Sequence, residues 1–167
     1  SDDFYANDKI ISEVVKKFQE DTLVEVCYAD LIYVDSLKTS KIIRYVKSKK
    51  FKQGLFSKGW CPPHPTFFVR RSVYERFGNF NLTYRIASDV DLMMRFLEIH
   101  KIKSCYVPKV WVNMRMGGTT NKNLKNIWLQ NKEILDSLRK NNLSFNLMKF
   151  FIYKVISRLL QFFKRYP

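Results

Sequence analysis

Val24-Glu25-Val26-Cys27-Tyr28-Ala29-Asp30-Leu31-Ile32-Tyr33-Val34 sets two β-branched and aromatic runs, 24–28 and 31–34, on either side of Ala29-Asp30. Runs of this composition read as strands. Upstream, Ile10, Ile11, Val14, Val15 and Phe18 recur at helical spacing behind Asn7 and Asp8, either of which can cap a helix. Downstream, a turn over 35–40 leads into a strand or hairpin arm over 41–46, and a loop with Lys, Gly and Pro ends at Cys61-Pro62-Pro63-His64-Pro65. The alternation continues. Residues 66–69 form a short buried strand, and Ser72 and Glu75 have capping-box spacing for a brief helix that Gly78 stops. Ser88 precedes an amphipathic helix over 89–99 that buries Leu92, Met93, Phe96 and Leu97. Strands over 104–107 and 110–114 flank Pro108, and Gly117-Gly118 ends them. Helix 121–140 follows, with Leu124, Ile127, Trp128, Leu135 and Leu138 as its expected buried stripe. Helices and strands thus interleave in an α/β pattern.

The chain has 167 residues, 46% of them apolar, which is enough to bury a real core and excludes a disordered chain. Cys27, Cys61 and Cys105 are odd in number, widely spaced and free of any CxxC pattern, and His64 and His100 are the only histidines. A zinc site or disulfide framework is not expected, and a reducing cytosol is. The net charge of +15 is uneven. Residues 1–37 hold nine carboxylates against three lysines; residues 38–59 hold eight cations and no carboxylate; residues 101–167 hold fourteen cations against two carboxylates. Such a surface suits nucleic acid, an anionic membrane or phosphorylated substrates, and charge alone does not choose among them.

Residues 145–167 carry a geometric signature. At about 100° per position, Lys154, Ser157, Arg158, Gln161, Lys164 and Arg165 share one face, while Val155, Ile156, Leu159, Leu160, Phe162 and Phe163 fill the other. Charges inside the segment exclude a spanning helix of about 20 apolar residues. Two readings stand: an interfacial helix on an anionic membrane, or a surface helix packed on its own domain or a partner.

Carboxylate chemistry has few places to be. Asp2-Asp3 and the pair Asp89 and Asp91 are separated by strands, which suits a site assembled at strand ends. A hard divalent cation is commonly held by one or two carboxylates plus substrate phosphates, although Asp-Asp before a helix is also ordinary capping and dipole chemistry. Positions 89 and 91 lie about 200° apart on a helix, so both cannot enter one pocket. Asp91 stands four residues before Arg95, where an ion pair is available, and can reach back to the Ser88 amide. On that reading its loss costs about 0.5 to 1 kcal/mol. Asp89 has no such local partner, and an ionised carboxylate there suits a base toward a sugar hydroxyl.

These residues carry a resemblance. Ser1-Asp2-Asp3-Phe4-Tyr5 resembles the end of the metal-binding DxD motif of family 2 glycosyltransferases of the GT-A fold. His64-Pro65-Thr66-Phe67-Phe68, Arg70-Arg71-Ser72-Val73-Tyr74 and Phe77-Gly78-Asn79-Phe80 are similar to that family's acceptor-side stretch. Ile86-Ala87-Ser88-Asp89-Val90-Asp91-Leu92-Met93-Met94-Arg95 is similar to its catalytic-base segment, and Met116-Gly117-Gly118-Thr119-Thr120 to its mobile loop. The four segments stand in the family's order.

The resemblance implies a partial, Rossmann-like GT-A domain over 1–120, with a mixed sheet and flanking helices, followed by a basic amphipathic helical extension over 121–167. It implies that Asp2 ligates a divalent cation, Mn²⁺ or Mg²⁺, with Asp3 beside it toward the nucleotide-sugar donor, and that Asp89 is the general base. His64 and Asp91 are its substrate-side candidates, His64 otherwise shaping its loop. Arg115 meets the donor diphosphate on loop closure or is solvated surface. The implied reaction is a single inverting displacement onto a glycan or lipid-linked acceptor. The expected location is the cytoplasm, peripheral at the inner face of the cell membrane.

The departures are specific. The family's nucleotide-binding strands precede the DxD motif, whose first member has no counterpart here. Ser88-Asp89 stands where some relatives carry Glu-Asp, and Met114, Arg115 and Met116 supply no histidine for a metal. The expectation is a fragment, inactive alone. The alternatives are a nucleic-acid module or a peripheral membrane scaffold without chemistry; core-like spacing of the aromatics and the absence of a nucleic-acid motif weigh against the former.

Overall fold

In the computed structural model, which describes residues 3–117 and 124–163, the strand read as two runs is a single one, β2, Val26–Val34. The order is β1 (Phe4–Tyr5), α1 (Ile10–Glu20), β2, β3 (Ile42–Val46), β4 (Phe68–Val69), α2 (Arg71–Phe77), α3 (Ser88–Met94), β5 (Ser104–Arg115), α4 (Leu124–Lys140) and α5 (Leu147–Phe163). A π-helical turn, Arg95–Ile99, prolongs α3. The sheet runs β1-β5-β2-β3, with β4 also on β2. β2 and β5 are parallel and the remaining pairings antiparallel, so this is an α/β fold with an open, mixed sheet and flanking helices, compatible with a Rossmann-like arrangement.

Ala29-Asp30 does not break β2, because Asp30 is fully buried with every contact satisfied: Tyr45 and Tyr106 hydroxyls donate to its two oxygens at 2.5 and 2.8 Å, and the Ser48 amide at 2.7 Å. A buried carboxylate survives where donors surround it. The strand pleat then divides two layers. Cys27, Ala29 and Leu31 pack with Ile10 and Val14 of α1 and with Trp111, while Tyr28 on the other face stacks on Tyr106 and Phe67. With both faces covered, nearly every β2 residue is buried.

β5 likewise runs straight through Pro108. Val107 pairs with Ala29 and Val110 with Asp30, so residues 108 and 109 bulge out of the ladder where proline's missing N–H costs no bond.

Several local expectations are corrected. α1 buries Ile10 and Val14 but leaves Ile11 and Val15 exposed, and Asn7 accepts from the Lys9 amide without capping the helix. Thr66 belongs to a 3₁₀ turn, His64–Thr66, and not to β4. The Ser72–Glu75 capping box does not form; Glu75 pairs with Arg71 at 2.8 Å. α4 buries Ile134, Leu135, Ser137 and Leu138, whereas Leu124 and Trp128 project into solvent. Ile134, Leu135, Leu138 and Phe150 join the same core as Val90, Met93 and Phe96. Gly59 permits the close seating of α5: its φ is 76°, and a Cβ there would lie 3.2 Å from the Phe150 carbonyl oxygen. Among the described residues no helix is long and apolar enough to cross a membrane.

Candidate functional site

The Pro62-Pro63-His64-Pro65 loop is fastened to the central strand by one side chain. Thr66, fully buried, accepts from the Ala29 amide at 3.2 Å, and its Oγ1 lies 2.9 Å from the carbonyl oxygens of both Ala29 and Pro63. Buried Glu98 holds the preceding segment, accepting from the Gly54 and Phe56 amides at 2.9 and 3.3 Å. The backbone that carries His64 is therefore fixed from two sides.

α3 is fixed from α4. Glu133 accepts from the Arg85, Ile86 and Ala87 amides at 2.9, 2.9 and 2.8 Å, taking the place of a local cap at the helix start. Asp89, in the first turn, then meets His64: Nδ1 of His64 lies 3.2 Å from Oδ2 of Asp89, and the Val90 amide donates to Oδ1 at 2.8 Å. Their side chains are 52% and 27% exposed, so the pair is reachable from solvent.

Both residues line an open cleft of about 1150 Å³ that runs from Tyr33 and Met114 to α5. Asp89 is the one carboxylate among its described lining residues, beside Arg44, Lys47, Lys49, Lys154 and Arg158. Cys61 also lines it, and burial, then the nearby Asp89 carboxylate, push its thiol up to about 12. A thiol so rarely ionised does not serve as a nucleophile.

The other sequence-derived candidates are dispersed. Asp91 is buried away from the cleft, with Arg95 Nε 3.0 Å from Oδ2 and Ser137 Oγ donating to Oδ1 at 2.6 Å. The structure does not place it toward a substrate, nor does it cap Ser88. Arg115 is exposed at the end of β5, its guanidinium 5.9 Å from the Phe4 ring centre. Asp3 is half-buried, and the β1–β5 register, Phe4 opposite Asn113, sets it beside cleft-lining Met114. Asp3 and Arg115 thus share one end of the sheet. Asp2, Gly118, Thr119, Thr120, Lys164 and Arg165 lie outside the described residues, as does the Phe163 side chain.

Asp3 offers one carboxylate at the sheet edge, opposite cleft-lining Met114 in register, and an oxygen donor is the ligand type that a hard cation takes together with substrate phosphates. Among the described residues no cluster of three or more His, Cys, Asp or Glu groups occurs.

Sequence reasoning missed Thr66, Glu98 and Glu133, whose work is to hold backbone far away in sequence. It weighed His64 and Asp89 separately and gave no sign that they touch. No family model matches the chain, and no curated protein matches it.

Proposed function

We propose that the protein transfers a sugar from a nucleoside-diphosphate donor to an acceptor hydroxyl by a single inverting displacement, with Asp89 as the general base. The contact between His64 Nδ1 and Asp89 Oδ2 at 3.2 Å, on the wall of a cleft with room for a saccharide, is the observation that supports it most. An Nδ1–H donor on His64 holds the carboxylate's orientation and the Val90 amide fixes its other oxygen, which leaves each oxygen a second lone pair on a side chain that lines the cleft. The acceptor hydroxyl gives its proton to Asp89 as its oxygen attacks the anomeric carbon. Asp3, with Asp2, would hold a divalent cation, which when bound neutralises the departing diphosphate. Arg115 at the same end supplies a second positive charge.

The test is transfer measured beside donor binding in the intact protein. Asp89→Asn keeps the shape and removes the base, so turnover falls about 10²- to 10⁴-fold with donor affinity held. His64→Gln, which keeps a donor, retains more activity than His64→Ala. Restoration of His64→Ala by added imidazole, with Asp89→Asn still active, would move the base to His64. Full activity in Asp89→Asn and His64→Ala alike would end the transferase reading at this site.

A further inference from the structure

Cys27 of β2 and Cys105 of β5 stand opposite each other in the parallel ladder. Successive residues of a strand point to opposite faces of a sheet, so in-register partners on parallel strands present their side chains to the same face. The next rung follows this rule, with Tyr28 and Tyr106 stacked at 5.7 Å on the other face. Cys27 and Cys105 belong together to the layer under α1, with Ile10, Val14 and Val24. Neighbouring strands run about 4.8 Å apart, and a disulfide spans α-carbons about 4.4 to 6.8 Å apart. The ladder therefore already holds the two backbones at a bridging distance.

The two thiols differ in access and in chemistry. Cys27 is fully buried, whereas Cys105 is half-buried. Burial first, and then the charge and the hydrogen bond of Cys105, push the Cys27 thiol up to about 12. The thiols are thus in contact, and the inner one is both shielded from a soluble oxidant and rarely ionised. Cys61 is not a third member. It packs on the opposite face of the sheet, against the core that holds Val26 and Val90, and it lines the cleft.

We propose that Cys27 and Cys105 are a redox modification site: a hydroperoxide converts the pair to a disulfide joining β2 to β5, and a soluble thiol reverses it. The thiolate of Cys105 attacks one peroxide oxygen and the O–O bond breaks. The departing oxygen takes up the proton that Cys105 released and leaves as water or an alcohol, and Cys105 becomes a sulfenic acid. The Cys27 sulfur then attacks the Cys105 sulfur; the S–O bond breaks, and the departing hydroxide leaves as water with the Cys27 proton. The two thiols together lose two electrons and two protons, and the peroxide gains them. Cys27 meets the sulfenic acid without diffusing, which offsets its low thiolate fraction. The bridge closes before Cys105 passes to the irreversible sulfinic acid. In the reverse direction the soluble thiol is itself oxidised to its disulfide. Neither cysteine lines the cleft, so the site stands independently of the transferase reading.

Brief exposure of the intact, folded protein to hydrogen peroxide, followed by alkylation and non-reducing peptide mass spectrometry, tests it. The expected product is a Cys27–Cys105 linked peptide pair within one chain, two hydrogen atoms lighter than the free thiol peptides, with Cys61 still alkylated. Dithiothreitol should abolish the link. Cys105→Ser should slow the loss of the Cys27 thiol at least about 10-fold. Cys27→Ser should leave Cys105 as a sulfenic acid that dimedone traps and that goes on to sulfinic acid. Cys61→Ser should give the parent's yield of linked peptide. Circular dichroism checks that the variants fold, and the linked peptide of the parent protein decides the matter where one does not. A link that forms only in urea would overturn the proposal, because the folded sheet would then hold the sulfurs apart. So would Cys105 carried to sulfinic acid in the parent, or both thiols left intact at a peroxide concentration that oxidises free cysteine. Linkage of Cys61 to either residue, or between two chains, would overturn it as well.

Discussion

Asp89 and Asp91, two positions apart on α3, look into different worlds: Asp89 meets His64 at the cleft wall, while Asp91 is enclosed between Arg95 and Ser137. The Asp91 and Arg95 side chains are only 4% and 19% exposed, and Arg95 also donates to the Phe77 and Asn79 carbonyl oxygens, tying the end of α2 to α3. Asp91→Asn therefore costs about 3 kcal/mol, the range for stranding one member of a buried pair, and not the smaller loss of a surface pair. Urea unfolding measures it. A loss below about 1 kcal/mol would mean that the Arg95 charge finds solvent.

Asp30 gives the second test. All three of its close partners are donors, and an asparagine would replace one acceptor oxygen with an NH₂ group facing them. Asp30→Asn should destabilise by about 3 kcal/mol, since the network loses bonds while staying buried. Unfolding curves report the loss, and an unchanged midpoint would show that the two tyrosines do not depend on Asp30.

Glu133 acts at a distance from its own helix. Glu133→Ala strands the Arg85, Ile86 and Ala87 amides at the start of α3, at a cost of about 1 to 2 kcal/mol. Amide exchange at residues 85–87 should speed up more than exchange in β2. Because Asp89 follows directly, turnover should fall with it, and Glu133→Gln should restore part of both. Uniform exchange across the domain would refute a local cap.

Cys61 reports on the electrostatics of the cleft. With its thiol pushed up to about 12 from an ordinary 9.0, its thiolate is about 10³-fold scarcer at pH 8 than that of an ordinary cysteine, and alkylation slows accordingly. The burial contribution remains in Asp89→Asn, but the carboxylate contribution goes, so Cys61 should label faster in that variant. Mass spectrometry of the Cys61 peptide against pH measures both effects. Equal labelling rates in the two proteins would remove Asp89 from the neighbourhood of Cys61.

The amino-acid sequence alone determined the α/β alternation, the strand character around Val26 to Val34, the amphipathic α5 and the divergence of Asp89 from Asp91, because these follow from periodicity along one element. It misread Asp30 as a break and α4 as buried along its length, because burial depends on what lies opposite. Tertiary structure decided which face α5 turns inward: periodicity defines two faces of a helix and cannot say which one meets the protein. It also decided that His64 touches Asp89 across 25 residues, and that Thr66, Glu98 and Glu133 hold the backbones carrying them. The contacts of Thr66, Glu98 and Glu133 join a side chain to a distant backbone amide or carbonyl, a partner with no signature in sequence, and the meeting of His64 with Asp89 depends on where those contacts hold the two segments.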